Sequence, residues 1–163
     1  MARTTRGYAF RVNHGIGQRE YVDWKYRELE SFTNSRPNTC DRSYYFRTVS
    51  HPYFDELRRV FYIGNRKIIP EMLEGWLTPL VLAVWFMDDG TRDGKQVRLN
   101  TQCFRREEHE LLVFLLQAKL GILATINRDK AQYRLRVCEK SMPRFRALVS
   151  PLIIPSMRYK FSP

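Results

Sequence analysis

The segment Thr78-Pro79-Leu80-Val81-Leu82-Ala83-Val84-Trp85-Phe86-Met87-Asp88-Asp89-Gly90 decides the fold. Thr78 is a strong helix N-cap, because its hydroxyl can accept a hydrogen bond from a backbone N–H of the first turn. Pro79 suits the first helical position, where its fixed φ is helical and its missing N–H costs nothing. Pro79 to Met87 is apolar on nearly every side, so the spacing predicts a buried helix. Two carboxylates and a glycine end it. An acid at the end of a core helix is expected to be solvated, paired or metal-bound. Taken alone, Asp88-Asp89-Gly90 also fits a solvent-exposed acidic turn, although Trp85-Phe86-Met87 sets the acids beside a core seam. Hard oxygen donors of this kind suit Mg2+, which keeps several waters and bridges to phosphate oxygens. Metal-assisted phosphodiester hydrolysis needs such carboxylates.

Downstream, Arg92-Asp93-Gly94-Lys95 is a hairpin signal with Asp-Gly at its centre, leading into a strand from Gln96 to Thr101. Arg105 to Leu120 has amphipathic helical spacing, and Gly121 ends it. Ala124 to Arg128 and Gln132 to Val137 read as a second hairpin, Ser141 to Val149 as a helix, and Pro151 to Pro163 as an extended tail. Upstream, Tyr8 to Asn13 reads as a strand and Tyr21 to Phe32 as a helix. Ser35 to Asp41 reads as a loop and Tyr44 to Val49 as a second strand. Ser50 then caps a helix that runs to about Tyr62.

The two flanks repeat each other. Phe10-Arg11-Val12-Asn13 resembles Val97-Arg98-Leu99-Asn100, and Tyr44-Tyr45-Phe46-Arg47 resembles Tyr133-Arg134-Leu135-Arg136. His51-Pro52-Tyr53-Phe54 resembles Met142-Pro143-Arg144-Phe145. The order is common and the offsets are 87 to 91 residues. The first offset places the counterpart of Gly90 at residue 3 and that of Asp89 at Ala2. The expected organisation is therefore an incomplete N-terminal repeat (1–66), a linker (67–78) and a C-terminal repeat (79–163) opened by the helix 79–90. The first repeat is expected to lack its opening helix and its acid.

Bulk composition narrows the partner. Lys and Arg number 28 against 17 Asp and Glu, a formal charge of +11. Such a surplus favours a polyanion, nucleic acid first. Three cysteines without CxxC spacing argue against a disulfide scaffold and a structural zinc site. The start has no apolar stretch of a secretory signal, and the longest apolar run is too short for a bilayer. An intracellular protein is expected, in an organelle or the cytoplasm according to the host genome, with no membrane partner.

The strands carry Arg11, Arg47, Arg98, Arg128, Arg134 and Arg136. Alternate strand residues share a face, so Arg134 and Arg136 point the same way, opposite Leu135. A basic sheet face can lie in a major groove, where Arg reads guanine edges or holds phosphates. An ordinary charged solvent face reads equally well from these residues.

Leu82 to Gly90 resembles the second signature helix of the LAGLIDADG homing endonucleases, in their monomeric two-repeat branch. Thr78-Pro79-Leu80, Leu99-Asn100-Thr101-Gln102 and Pro155-Ser156-Met157-Arg158-Tyr159-Lys160 support the resemblance in order along the chain. It implies an α+β fold of αββαββα pseudo-repeats, whose antiparallel sheets clasp double-stranded DNA. It implies sequence-specific, metal-dependent cleavage by an intron-encoded enzyme, with Mg2+ or alternatively Mn2+. Asp89 matches the metal-binding final acid and Asp88 the residue before it. Lys67 and Lys160 match lysines near the scissile phosphates; read alone, each is an ordinary surface lysine. Arg11, Arg47, Arg98, Arg128, Arg134, Arg136 and Gln102 are the expected DNA contacts. The absent first helix leaves two further readings open: an intron-RNA-binding splicing cofactor, or maturase, and a non-catalytic DNA-binding remnant. It also implies self-association, or an upstream segment supplying that helix.

Overall fold

Alternation of apolar and polar residues builds the first sheet. The computed structural model describes residues 1–161, and the chain divides into two units, Met1–Ile63 and Gly64–Pro163. The first unit opens with a hairpin of β1 (Ala2–Thr4) and β2 (Gly7–Ala9). There follow β3 (Arg11–Gly15), α1 (Arg19–Glu28), β4 (Asn38–Cys40), β5 (Ser43–Arg47), α2 (Pro52–Phe61) and β6 (Tyr62–Ile63). The antiparallel sheet has the order β3-β5-β4. Val12, Tyr44 and Phe46 turn inward and pack with Val22 of α1. Arg11, Asn13, Tyr45 and Arg47 alternate with them and take the open face.

Hydrogen bonds, several between residues distant in sequence, move the boundaries in this unit. The strand expected from Tyr8 to Asn13 breaks at Phe10, whose N–H donates to Thr48 Oγ1 at 2.9 Å. The first helix stops at Glu28, and Glu30–Phe32 tightens into a 3-10 turn. His51, not Ser50, caps α2: its Nδ1 accepts from the Tyr53 N–H at 3.2 Å. The Ser50 hydroxyl is instead 2.7 Å from that of Thr4. Within the expected loop 35–41, Asn38–Cys40 pairs along β5 as an edge strand.

The second unit holds β7 (Arg66–Lys67), α3 (Leu73–Trp76), α4 (Pro79–Asp89), β8 (Gly90–Asp93), β9 (Gln96–Leu99), α5 (Arg106–Leu120), β10 (Ala124–Asp129), β11 (Gln132–Val137) and α6 (Met142–Val149). From α4 to α6 this is the αββαββα order, and its antiparallel sheet runs β10-β11-β9-β8. The α+β class and the repeat architecture are therefore those expected. Thr78 caps α4 by accepting from the Val81 N–H at 3.3 Å. Leu82, Ala83, Phe86 and Met87 of α4 are buried with Leu99, Leu116, Leu135 and Phe145. Burial of α4 is not all round: Leu80 is 49% and Val81 38% exposed. The first hairpin turns one residue later than expected, since Asp93 pairs with Gln96 and leaves Gly94-Lys95 as the loop. Through residue 161 the tail is not extended, and its last two residues lie outside the described residues. Ser150–Leu152 and Pro155–Lys160 coil into 3-10 turns that sink Ile153 and Met157 into the core.

The internal repeat extends to strand order and register. The order β3-β5-β4 in one unit matches β9-β11-β10 in the other. Val12 opposes Phe46 and Leu99 opposes Leu135, all buried. On the next rung Arg11 opposes Arg47 and Arg98 opposes Arg136. Among the described residues the first unit contains no counterpart of α4.

Candidate metal and nucleic-acid site

The end of α4 brings three of the predicted residues together. Asp88 and Asp89 close the helix and are exposed. The chain passes directly into β8 at Gly90, and the Asn100 N–H, just beyond β9, donates to the Asp89 carbonyl at 3.2 Å. A β-carbon at Gly90 would lie 2.1 Å from the Phe86 ring and 2.5 Å from the Phe86 carbonyl. Glycine is demanded here by close approach, at an ordinary φ of −79°. The tail then delivers Lys160. Its ammonium donates to the carbonyls of Phe86 at 3.2 Å, Asp88 at 3.3 Å and Gly90 at 3.0 Å. These carbonyls form the negative end of the α4 dipole. The α4 terminus thus holds one cation among carbonyl oxygens and presents two carboxylates beside it.

Donor chemistry at this terminus fits a hard divalent ion, which takes carboxylate and carbonyl oxygens and fills its shell with water. Among the described residues no cluster of three or more His, Cys, Asp or Glu could enclose a metal by protein ligands alone. Any ion here would rely on water or phosphate oxygens for the rest of its shell, as Mg2+ does. Lys67 lies elsewhere: it is exposed on β7, with its ammonium 5.9 Å from the Phe104 ring. Among the described residues it makes no ion pair with Asp88 or Asp89.

The open face of the second sheet carries Arg98, Arg134 and Arg136, as alternation requires. Arg128 departs from that group. It pairs with Tyr133 and shares the face of Ile126 and Leu135, with its Nε donating to the Lys130 carbonyl at 3.1 Å. Gln102 Nε2 lies 3.4 Å from Asp129 Oδ2. Asp129 also pairs with Arg134. Asp93 forms ion pairs with Arg98 at 3.3 Å through one oxygen and with Arg136 at 2.7 Å through the other. Sequence reasoning missed these two aspartates, although both sit at hairpin ends, where the register puts them on the arginine face.

A buried histidine supports the same sheet from beneath. His109 of α5 is fully buried, with Nδ1 2.8 Å from the Arg105 carbonyl and Nε2 2.9 Å from Thr101 Oγ1. Thr101 Oγ1 accepts from the Leu135 N–H at 3.2 Å. This chain of bonds pins β11 between Arg134 and Arg136.

Comparison with known proteins accords with this geometry. The profile of the LAGLIDADG DNA endonuclease family matches residues 1–145. The chain is 40% identical over 124 residues to the cytochrome b mRNA maturase bI2 of Saccharomyces cerevisiae, covering 71% of this chain and 29% of that protein. It is 31% identical over 157 residues to a probable intron-encoded endonuclease 1 of Wickerhamomyces canadensis, covering 86% of this chain and 68% of the relative. The homing endonuclease I-WcaI, solved bound to its DNA recognition sequence, superposes with a TM-score of 0.90 at 28% identity, over 98% of this chain and 77% of that one. I-DmoI, solved with its target DNA in the presence of Mg, superposes at 0.60 and 14% identity, a likeness of fold alone. The chain spans less than half the length of the two bI2 maturases that it matches, 29% and 45%.

Proposed function

This chain belongs to the LAGLIDADG DNA endonuclease family, and from that premise we propose that it binds double-stranded DNA and takes part in site-specific, divalent-metal-dependent cleavage. One observation carries the reading. A helix with one buried face ends in two exposed carboxylates and runs without a loop into a sheet whose open face is lined with arginines. Those arginines suit the phosphates and guanine edges of a duplex. Asp89, with Asp88 beside it, would hold Mg2+ or Mn2+, and such an ion supplies charge neutralisation at phosphate and a more acidic bound water. The ammonium of Lys160 stabilises negative charge at the same helix end, and Lys67 would do so at a phosphate on β7.

Leu80 and Val81 are apolar and exposed on α4. A second apolar helix ending in an acid suits that surface and would complete the pair of carboxylates that cutting both strands requires. Self-association through α4, or a helix supplied by another segment, would serve. The experiment is to incubate the chain with a plasmid library of randomised duplex sites and sequence the ends. Recurrent breaks or nicks that need Mg2+ or Mn2+ are expected. Retention of duplex without any break in either ion overturns the nuclease reading.

A second reading is favoured by the two mRNA maturases among the relatives. In it the chain binds intron RNA and assists splicing. Competition between a folded intron RNA and a duplex of equal length separates the two, since a maturase would prefer the RNA.

A further inference from the structure

We propose that Asp93 and Asp129 are positioning residues for base recognition, holding Arg98, Arg134 and Arg136 in fixed orientations, while the arginines of the first sheet supply sequence-tolerant attraction to phosphate. The proposal rests on the DNA-binding reading above.

The two sheets share a register but not an electrostatic plan. Each sets two arginines directly opposite one another, Arg11 with Arg47 and Arg98 with Arg136. Like charges in that position repel. In the second sheet Asp93 relieves the repulsion by forming an ion pair with each guanidinium. Asp129 forms an ion pair with Arg134 and accepts from Gln102 through the same oxygen. The three arginine side chains are only 27% to 34% exposed. Their Nε atoms are buried and, among the described residues, have no hydrogen-bond partner. A guanidinium is a rigid fork of five donors, so anchoring one nitrogen orients the rest. Donors fixed before binding lose little rotamer freedom on meeting a base edge. They also reject a base whose acceptors lie elsewhere, and guanine is the base that presents two acceptors to such a fork.

The first sheet is built otherwise. Its strands β3, β4 and β5 contain no Asp or Glu. Arg11 and Arg47 are exposed, and among the described residues neither joins an ion pair. Arg11 lies over the Tyr45 ring at 5.2 Å. Beside Arg47 an open recess of about 500 Å³ is lined by Thr4, Arg6, Asn34, Ser35 and Ser50, among others, with no carboxylate. Exposed guanidiniums with hydroxyl and amide donors suit phosphate oxygens, which are the same in every sequence.

The test is selection from a randomised duplex pool with the parent chain, Asp93→Asn, Asp93→Glu, Asp129→Asn and Arg11→Ala, each checked for folding by thermal melting. The parent is expected to enrich particular bases at several positions, by about tenfold each. With Asp93→Asn the preference at positions read by Arg98 and Arg136 should fall toward parity, while retention of unselected duplex holds or rises. Asp93→Glu should recover part of the preference, which a merely structural loss would not do. Asp129→Asn, on the other hairpin, should relax different positions. Arg11→Ala should weaken retention of all pool members alike. Pools from both asparagine variants that match the parent's would overturn the proposal while leaving DNA binding intact. So would base-selective losses with Arg11→Ala. A parent chain that retains no duplex at about 50 mM salt overturns the DNA reading and this proposal with it.

Discussion

The ring of Phe86 leaves no room for a side chain on Gly90, since a β-carbon there would stand 2.1 Å from ring Cδ2. Both belong to the turn that hands Asp88 and Asp89 from α4 to β8. Gly90→Ala must therefore push a fully buried phenylalanine or bend the backbone. Overpacking of this kind costs about 1–3 kcal/mol, and the expected loss lies at the upper end, because one close atom is backbone. Thermal melting should show a drop of roughly 5–10 °C. A variant melting within a degree of the parent would show that the turn yields freely.

Lys160 satisfies three carbonyls at the end of α4. Lys160→Met keeps the bulk of the stem and removes the donors. Its half-buried position lets water replace part of the loss, so about 1 kcal/mol of stability should go. Lys160→Arg should recover some of it. Metal-dependent cleavage should fall further than that small stability change explains, because the ammonium also offsets charge where the carboxylates stand. Parallel measurement of melting and of cleavage rate separates the two effects.

Asp89→Asn should reduce cleavage to background while duplex binding stays within about twofold. An amide oxygen is a poor substitute for a carboxylate on a hard cation, and the exposed side chain supports no core packing. Asp88→Asn should cost less. Cleavage by the Asp89 variant at the parent's rate in Mg2+ would remove this residue from the site.

Duplex affinity should fall linearly with the logarithm of salt, as counterion release requires. Arg47→Ala should flatten that slope by about 0.9, the value of one phosphate contact. A filter-binding titration from about 50 to 200 mM salt measures it. A flat line would mean that the +11 charge does not act through phosphate.

Glu108 gives the fold an acid-sensitive latch. Burial pushes its carboxyl up, but the N–H groups of Arg105 and Ile69 and the Arg66 guanidinium together outweigh that and hold it below the ordinary 4.5. The Arg66 bond is 2.8 Å and that from the Arg105 N–H 2.7 Å. A carboxyl depressed by folding adds stability above its unfolded pKa and loses it as pH falls through the folded value. Melting temperature should therefore decline once pH drops below about 4.5. Glu108→Gln should be less stable at neutral pH and should show less of that decline.

Much of this was readable from residue spacing. Thr78-Pro79 set the start of α4, and the alternation about Val12, Phe46, Leu99 and Leu135 set both sheets and their repeat. What escaped was decided by partners distant in sequence. Phe10 leaves its strand because Thr48 accepts its N–H. His51 takes the cap because Thr4 engages Ser50. The tail coils because Ile153 and Met157 find the core. At the candidate site, the carboxylates of α4 were visible as residues, and Lys160 only through a family resemblance. Asp93 and Asp129 were overlooked because a loop aspartate beside glycine or lysine reads as turn chemistry until strand register shows which face it shares.

The matched registers also bear on how such a chain can change over generations. The ladder that aligns Arg11 with Arg47 belongs to β3 and β5, and the one that aligns Arg98 with Arg136 to β9 and β11. A substitution on one open face leaves the hydrogen-bonded rungs of the other untouched. If the chain holds duplex DNA as proposed, a lineage meeting a new target can therefore revise Arg98 and Arg136 while Arg11 and Arg47 keep a grip that does not depend on base sequence. Changes in separate ladders with no shared partners combine by simple addition, so intermediate sequences on such a route need not pass through a form that holds no target at all.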